Sequence, residues 1–235
     1  MGLYQILTNY GEGITRYSLL NLIAFILAIL TALVLHEIAH GLVALWNGDA
    51  TAKLYGRLSL NPLRHFDIVG LIMMLLVGFG WAKPVPINPN NFKNRKVGSI
   101  TVSIAGILTN ILLAFIFSMC FVLFGKVAIT NQSMDYFIHF CRSLSLYATQ
   151  LNISFALFNI LPLFPLDGYR LISCFVNENN KFMTFMRRYS LYIMLGFIVL
   201  DYIPIISAFS PLNLYIGTFG GLIREGFILF WGLIF

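Results

Sequence analysis

Two histidines four residues apart, with a glutamate directly after the first, are the clearest chemical signature in this chain. His36, Glu37 and His40 follow an apolar run from Tyr17 to Leu35 that contains no charged residue. Residues four apart lie on one face of a helix, so both imidazoles can reach one ion. Glu37 is rotated by about 100° from His36, which suits a base that takes the proton of zinc-bound water. The pattern is H-E-x-x-H, a zinc-and-base arrangement.

The apolar surroundings of this motif argue for a functional role. A charged group at the centre of a bilayer costs roughly 2.5 kcal/mol or more. On a soluble helix the same pattern would often belong to a surface with salt bridges. In this chain, a motif without function would mean that His36, Glu37 and His40 are buried in an apolar helix at an energetic cost and with no compensating role. The motif therefore predicts a metallohydrolase that works inside a membrane.

Asp167 is the best candidate for a third metal ligand. It is the only acidic residue between Asp135 and Glu178, and it follows a segment with two prolines and precedes Gly168. Prolines bend the chain and glycine allows a tight turn, which could direct one carboxylate into a helix bundle. The alternative is a helix-ending turn with an exposed aspartate at the membrane interface.

The composition predicts an all-α polytopic membrane protein. Hydrophobic residues make up 59% of the 235 residues and charged residues 10%, against about 25% charged in soluble domains. The long apolar segments favour five to six transmembrane helices, with a small β or irregular region after the H-E-x-x-H helix. We expect one domain over 1–235, with a catalytic core at 17–175 and C-terminal helices at 185–235.

The pattern of apolar segments and helix breakers predicts the individual elements. Helices are expected at 17–46, 98–124, 144–161 and 185–200, with 213–235 apolar but split by Gly220-Gly221 and Arg224-Glu225. The stretch 51–62 is polar and β-prone, and prolines make 81–89 irregular. Segment 68–79 is short for a complete span, so it is expected to be re-entrant or partly inserted.

The proposed metal ligands constrain helix direction. If Asp167 meets His36 and His40, the helices at 17–46 and 144–161 run in the same direction and the helix at 98–124 runs oppositely. With these helix directions, 46–97 and 168–188 lie on the same face of the membrane, and together they contain eleven of the 15 Lys and Arg residues. The positive-inside rule makes this face cytoplasmic and places the metal about 10 Å below the surface. The non-helical stretches 48–67 and 81–92 could line a water route, and a strand at 54–60 could hold an extended substrate.

The motifs resemble those of the site-2 protease family, peptidase family M50, in its compact bacterial branch without a PDZ domain. The resemblance covers about 30–175 and rests mainly on two motifs, His36-Glu37-Ile38-Ala39-His40 and the segment that runs from Asn159 through Pro162 and Pro165 to Leu166-Asp167-Gly168. Further matches are 56–62, His65 and Asp67, 81–86, and Ala105-Gly106 with Asn110. It implies an intramembrane zinc metalloprotease with one zinc at His36, His40 and Asp167, and Glu37 as the base. It also implies cleavage of transmembrane peptide bonds near the cytoplasmic side.

The resemblance gives further residues a candidate role. Asn110 and Asn159 match asparagines suspected of substrate or transition-state contacts, although Asn110 could equally form a helix–helix hydrogen bond. For His65 and Asp67 we expect a supporting or structural role beside the site rather than metal ligation. The chain departs from the family pattern at Ile107, where a proline is common, and at Tyr169, where a second glycine is frequent.

Two other functions remain open from the sequence. One is a catalytically inactive protein that keeps the site as a structural or metal-binding element, and the other is a transporter whose buried His, Glu and Asp relay ions. A transporter should show repeated halves, and none is evident. The expected partners are a transmembrane protein or peptide substrate and the lipid bilayer of a bacterial plasma membrane, without nucleic acid. Substrate identity and oligomeric state do not follow from the sequence.

Overall fold

The protein is a bundle of long helices joined by short helical turns. The computed structural model describes residues 16–65, 67, 69–70, 72–73, 83–177, 179–203 and 209–235. The helices are α1 (Arg16–Trp46), α2 (Thr51–Leu54), α3 (Arg95–Gly125), α4 (Gln132–Asn159), α5 (Asp167–Ser173), α6 (Lys181–Tyr202) and α7 (Pro211–Ile234), with 3-10 turns at Pro62–Arg64 and Pro89–Asn91. No strand occurs within these described ranges, which confirms the predicted all-α class.

Most of the long helices have the length and composition of membrane spans. Within the described residues, α1, α3, α6 over Lys181–Asp201 and α7 meet both requirements. Helix α4 has 28 residues, which is roughly 42 Å of helix and long enough to cross a bilayer, but its polar residues keep it out of this apolar set. The chain is thus a polytopic membrane protein, as its composition predicts.

Two predicted helix boundaries are correct and two are wrong. Helices α1 and α3 agree with 17–46 and 98–124 to within three residues. Helix α4 starts twelve residues before the predicted 144, because Asn131 caps it by accepting a hydrogen bond from the Met134 amide at 2.9 Å. Helix α7 is continuous through Gly220 and Gly221, since glycine is tolerated in membrane helices.

Of the β or irregular region predicted after the H-E-x-x-H helix, the β alternative at 51–62 is wrong, because no strand occurs there within the described residues. Thr51–Leu54 forms α2, with Leu54 donating to the Ala50 carbonyl at 3.0 Å and Tyr55 to the Thr51 carbonyl at 3.1 Å. The residues that follow form turns, and Gly56 adopts a φ of 65°, which favours glycine. A lone strand would lack a partner for its backbone groups, whereas a turn of helix satisfies them locally.

Helices α1, α3 and α4 form the centre of the bundle, and their directions are those that the proposed metal ligands require. Near their starts, α1 and α4 meet through the rings of Tyr17 and Tyr136 at 5.2 Å, and further along through Phe25 and Tyr147 at 5.6 Å, so they run parallel. The end of α1 meets the start of α3, where Asn47 donates to Thr101 at 3.0 Å, so these helices are antiparallel. The expected re-entrant segment 68–79 lies almost entirely outside the described residues.

Candidate metal centre

Three buried side chains from two parts of the chain converge near the end of α1. Nε2 of His36 and Nε2 of His40 lie 3.0 Å apart. Oδ2 of Asp167 lies 3.3 Å from the His36 nitrogen and 3.1 Å from the His40 nitrogen. These residues are the one group of three metal-binding side chains found in the described part of the chain.

The other ring nitrogen of each histidine has its own hydrogen-bond acceptor. Nδ1 of His36 lies 2.8 Å from Oδ1 of Asn110, and Nδ1 of His40 lies 2.7 Å from the Val102 carbonyl. A proton on Nδ1 can therefore be donated to these acceptors in both rings. This fixes the tautomer that leaves the Nε2 lone pairs free to bind a metal.

The arrangement fits a zinc ion. With both Nδ1 atoms as donors, the two Nε2 lone pairs and the Asp167 carboxylate face one another as acceptors, and buried Oδ2 of Asp167 has no hydrogen-bond partner. Such a cluster is repulsive unless a cation neutralises it. A tetrahedral ion with ligands at about 2.0 Å places them about 3.3 Å apart, close to the observed spacing.

Helix α3 comes unusually close to this cluster at Gly106. A Cβ atom on Gly106 would lie 2.6 Å from Nε2 of both His36 and His40. Only a residue without a side chain fits here. Gly98, Val102, Gly106 and Asn110 repeat every four residues and are all buried, so one face of α3 supplies both the close approach and the two Nδ1 acceptors.

The loop after α4 positions Asp167 through tight packing. A Cβ atom on Gly168 would overlap backbone atoms of Ile160 and Leu161, so Gly168 allows the first turn of α5 to lie against the end of α4. Tyr169, which replaces a frequent glycine, is buried and packs edge-on against Phe164 at 5.4 Å. These contacts hold Asp167 at the start of α5 while leaving its carboxylate directed at α1.

Glu37 is half-buried, and its carboxylate is held by the segment 83–85. Its Oε2 accepts a hydrogen bond from the Val85 amide at 2.9 Å. Buried Arg57 anchors the same segment, because its guanidinium donates to the carbonyl of Lys83 and, at 3.1 Å, to that of Pro84. The conformation of 83–85 thus fixes the direction of the carboxylate that the sequence singled out as a base.

The remaining predicted residues lie outside the cluster. Asn110 contacts His36 directly, whereas Asn159 donates to the Phe155 carbonyl of its own helix at 3.0 Å. His65 is fully buried and contacts the Ser59 carbonyl at 2.7 Å, and Asp67 accepts from the Gly70 amide at 2.9 Å. Neither residue belongs to the group that could hold a metal among the residues that the structure describes.

Asp49 supports the site from the end of α1. It is fully buried, its Oδ2 accepts from the Asn88 amide at 2.7 Å, and its Oδ1 accepts from Nδ2 of Asn91 at 2.8 Å and from the Thr51 amide at 3.1 Å. Burial acts to raise the pKa of Asp49, but hydrogen bonds from Thr51, Asn88 and Asn91 outweigh it and hold the pKa below its ordinary value. The carboxylate ties the end of α1 to the segment that leads from Val85 to α3.

Sequence reasoning missed the partners that are backbone groups. The Val102 carbonyl and the Val85 amide carry no signal in their side-chain types, so the spacing of chemical residues cannot indicate them. A signal for Gly106 is the four-residue spacing of Gly98, Gly106 and Asn110 along one face of an otherwise apolar helix.

The comparisons with known proteins agree with this geometry. The profile of peptidase family M50 matches residues 24–200. The Bacillus subtilis (strain 168) protein "Putative zinc metalloprotease YwhC" is 42% identical over 150 residues, 63% of this chain and 66% of that protein. The Methanocaldococcus jannaschii protein "Putative zinc metalloprotease MJ0611" is 28% identical over 160 residues, 67% of this chain and 73% of that protein.

The matched part covers slightly less than two thirds of the Bacillus relative. No solved structure matches the chain significantly. The family match covers most of the chain and includes both parts that converge at the metal cluster. The chain therefore belongs to peptidase family M50, the zinc metalloprotease family that its motifs predicted.

Proposed function

We propose that the protein is an intramembrane zinc endopeptidase of the site-2 protease type. The observation that carries this proposal is the convergence of His36 and His40, on the apolar helix α1, with Asp167, at the start of α5, within 3.0–3.3 Å of one another. One zinc would be held by these three residues. A zinc ion held by these three residues would supply Lewis acidity for the hydrolysis.

In this proposal the chain's own residues orient the ligands and move the proton. Asn110 and Val102 hold the Nδ1 protons of His36 and His40, which keeps both rings in the metal-binding tautomer. Glu37 is the general base that takes a proton from the attacking water. The Val85 amide keeps the Glu37 carboxylate in one direction, and a fixed base needs less reorganisation during the reaction.

The proposed substrates are transmembrane segments, because the cluster lies inside a membrane-spanning helix. Trp46, the end of α1, lies six positions after His40, which corresponds to roughly 9 Å of helix. The site is therefore proposed to lie below the membrane surface but short of the bilayer centre. Loop charge supports a cytoplasmic position for this end of α1.

A comparison of released fragments tests this function without requiring a known substrate. Cells would express the wild type, Glu37→Gln or Glu225→Gln, a matched control in exposed α7. Fragments with new termini inside transmembrane segments should accumulate with the wild type and the control, and should fall about 10²-fold to 10⁴-fold with Glu37→Gln.

Two outcomes would contradict the proposal. Equal fragment yields with the wild type and Glu37→Gln would indicate a catalytically inactive member of the family. Glu37-dependent ion flux into vesicles that contain the purified protein, without peptide cleavage, would indicate the transporter alternative.

A further inference from the structure

A cavity of about 610 Å³ lies next to the segments that position the three metal-binding side chains. Its walls are the extended chain at 85–89, the first turns of α3, and α5. Each wall also carries a group of the site: the Val85 amide contacts Glu37, the Val102 carbonyl contacts His40, and α5 begins at Asp167. An occupant of this cavity would therefore contact the same segments that position Glu37, His40 and Asp167.

The lining of this cavity combines apolar side chains with hydroxyl groups and positive charge. It includes Arg95, Lys96 and Arg170 with the hydroxyls of Ser99, Ser103 and Ser173, and it contains no acidic residue. The three cations form no ion pair within the described residues. A cavity of this size is in the range of ordinary ligand sites, about 300–1,000 Å³.

The placement of two of these cations is not explained by helix stability. Arg95 and Lys96 occupy the first turn of α3, which has no acidic residue. Cations are unfavourable at this positive end of a helix. The ammonium group of Lys96 also lies 5.3 Å from the centre of the Phe175 ring. Phe175 follows α5, so this contact directs the ammonium group toward the wall of the cavity that contains Arg170.

We propose that this cavity binds an acidic segment that flanks the cleavage site of the substrate. The inference rests on the proposed function, since it assigns a substrate class to that site. Charge complementarity identifies the occupant as an extended segment with Asp or Glu side chains, and the serine hydroxyls supply further donors for carboxylate oxygens. The shared walls favour a substrate segment over a lipid headgroup, because Val85 and Val102, which line the cavity, also contact Glu37 and His40.

This pocket would discriminate among membrane proteins. Cytoplasmic flanks of transmembrane helices usually carry Lys and Arg, and Arg95, Lys96 and Arg170 would repel such flanks. A substrate with an acidic flank would be attracted instead. Selection by charge at this position would spare most membrane proteins while admitting a small class.

A binding measurement tests the inference independently of catalysis. Full-length Glu37→Gln protein in neutral detergent would be titrated against fluorescent synthetic transmembrane peptides that differ only in a flank of four Glu, four Gln or four Lys. We expect the Glu flank to bind about tenfold more tightly than the Gln flank, and the Lys flank to bind most weakly.

Charge-reversed variants test whether the cations of the cavity cause the preference for the Glu flank. Lys96→Glu with Arg170→Glu should abolish or reverse it, whereas Lys53→Glu with Lys181→Glu, exposed positions outside the cavity with the same change in net charge, should preserve it. Equal affinity for the three peptides, or equal loss in both double variants, would overturn the inference. Binding of phosphatidylglycerol that depends on Lys96 and Arg170, without a flank preference, would assign the cavity to lipid and would also overturn it.

The same measurements separate this inference from the proposed function. A flank preference that depends on Lys96 and Arg170, together with absence of any Glu37-dependent cleavage, would retain the acidic-segment site and refute the peptidase. Glu37-dependent cleavage without a flank preference would retain the peptidase and refute the acidic-segment site.

Discussion

Gly106 of α3 lies against His36 so closely that a Cβ atom at this position would be 2.6 Å from the imidazole Nε2. The contact involves the atom that would bind the metal, and a Cβ at the same place would be equally close to Nε2 of His40. The arrangement of the metal-binding side chains therefore depends on Gly106, which contributes neither a ligand nor a proton.

Replacement of Gly106 by alanine should abolish zinc binding and cleavage while the protein stays folded. The added methyl group would lie in steric conflict with both Nε2 atoms, and the helix would shift only at a cost in packing. Zinc content of the purified variant is the measurement. Gly196→Ala is the control, since a Cβ there meets nothing within 4 Å, and loss of zinc in both variants or in neither would contradict the prediction.

Asn110→Ala should weaken zinc binding by about 10-fold to 100-fold, because it removes the acceptor that fixes the His36 tautomer. Asn110→Asp retains an acceptor oxygen and should bind zinc more tightly than the alanine variant. Chelator competition measures both affinities. Asn159→Ala should leave zinc affinity unchanged, since Asn159 contacts only Phe155 among the described hydrogen bonds; an equal loss there would remove the case for a specific role of Asn110.

Val85→Pro should lower kcat about tenfold or more and leave zinc content intact, because proline lacks the N–H group that orients Glu37. Val85→Ala removes most of the side chain but keeps the amide. Turnover by the two variants therefore isolates the backbone hydrogen bond. Equal turnover would show that the Val85 amide does not position the base.

Asp49→Asn should destabilise the protein by about 1–3 kcal/mol at neutral pH, since it weakens hydrogen bonds to a buried carboxylate. The pKa of Asp49 is lowered in the folded state, so its stabilisation is present above the unfolded pKa of about 3.9 and is lost as the pH falls through the folded value. Thermal unfolding in detergent at several pH values measures this. The difference from the wild type should shrink below about pH 4, and a difference that grows in acid would contradict the assignment.

Cysteine accessibility tests the proposed orientation. After replacement of Cys120, Cys141 and Cys174, single cysteines at the exposed positions Lys53, Asn90 and Asn179 should label from the cytoplasm, and one at exposed Thr130 should label from the opposite side. Labelling of the first three from outside would invert the topology and the sidedness of cleavage.

The convergence of the candidate metal ligands and the main helices could be predicted from the sequence, because these features depend on side-chain chemistry and long apolar runs. His36, Glu37 and His40 stand on one apolar helix, and Asp167 is the only acid in its region. Segment 51–62 could not be assigned correctly from its β-prone residues, because the buried Asp49 carboxylate and local backbone bonds stabilise a helical turn at its start.

The parts of the site that the sequence did not indicate are relationships between distant backbone and side-chain groups. Val85 reaches Glu37 across 48 positions, and the cavity brings Arg170 beside Arg95 and Lys96. Such pairings follow from the packing of α3 and α5 against α1, which no local pattern in the chain specifies.

The most direct test of the central claim is the zinc content and ligand set of the purified protein, measured by metal analysis and zinc X-ray absorption. The account predicts one zinc per chain with two imidazole nitrogens and carboxylate or water oxygens, and loss of that zinc in the His36→Ala, Asp167→Ala double variant. His139→Ala is the matched control, since His139 contacts Asn21 at 2.9 Å, away from the cluster, and should retain the metal. Full retention of zinc in the double variant, or a ligand set that includes sulfur, would contradict the account.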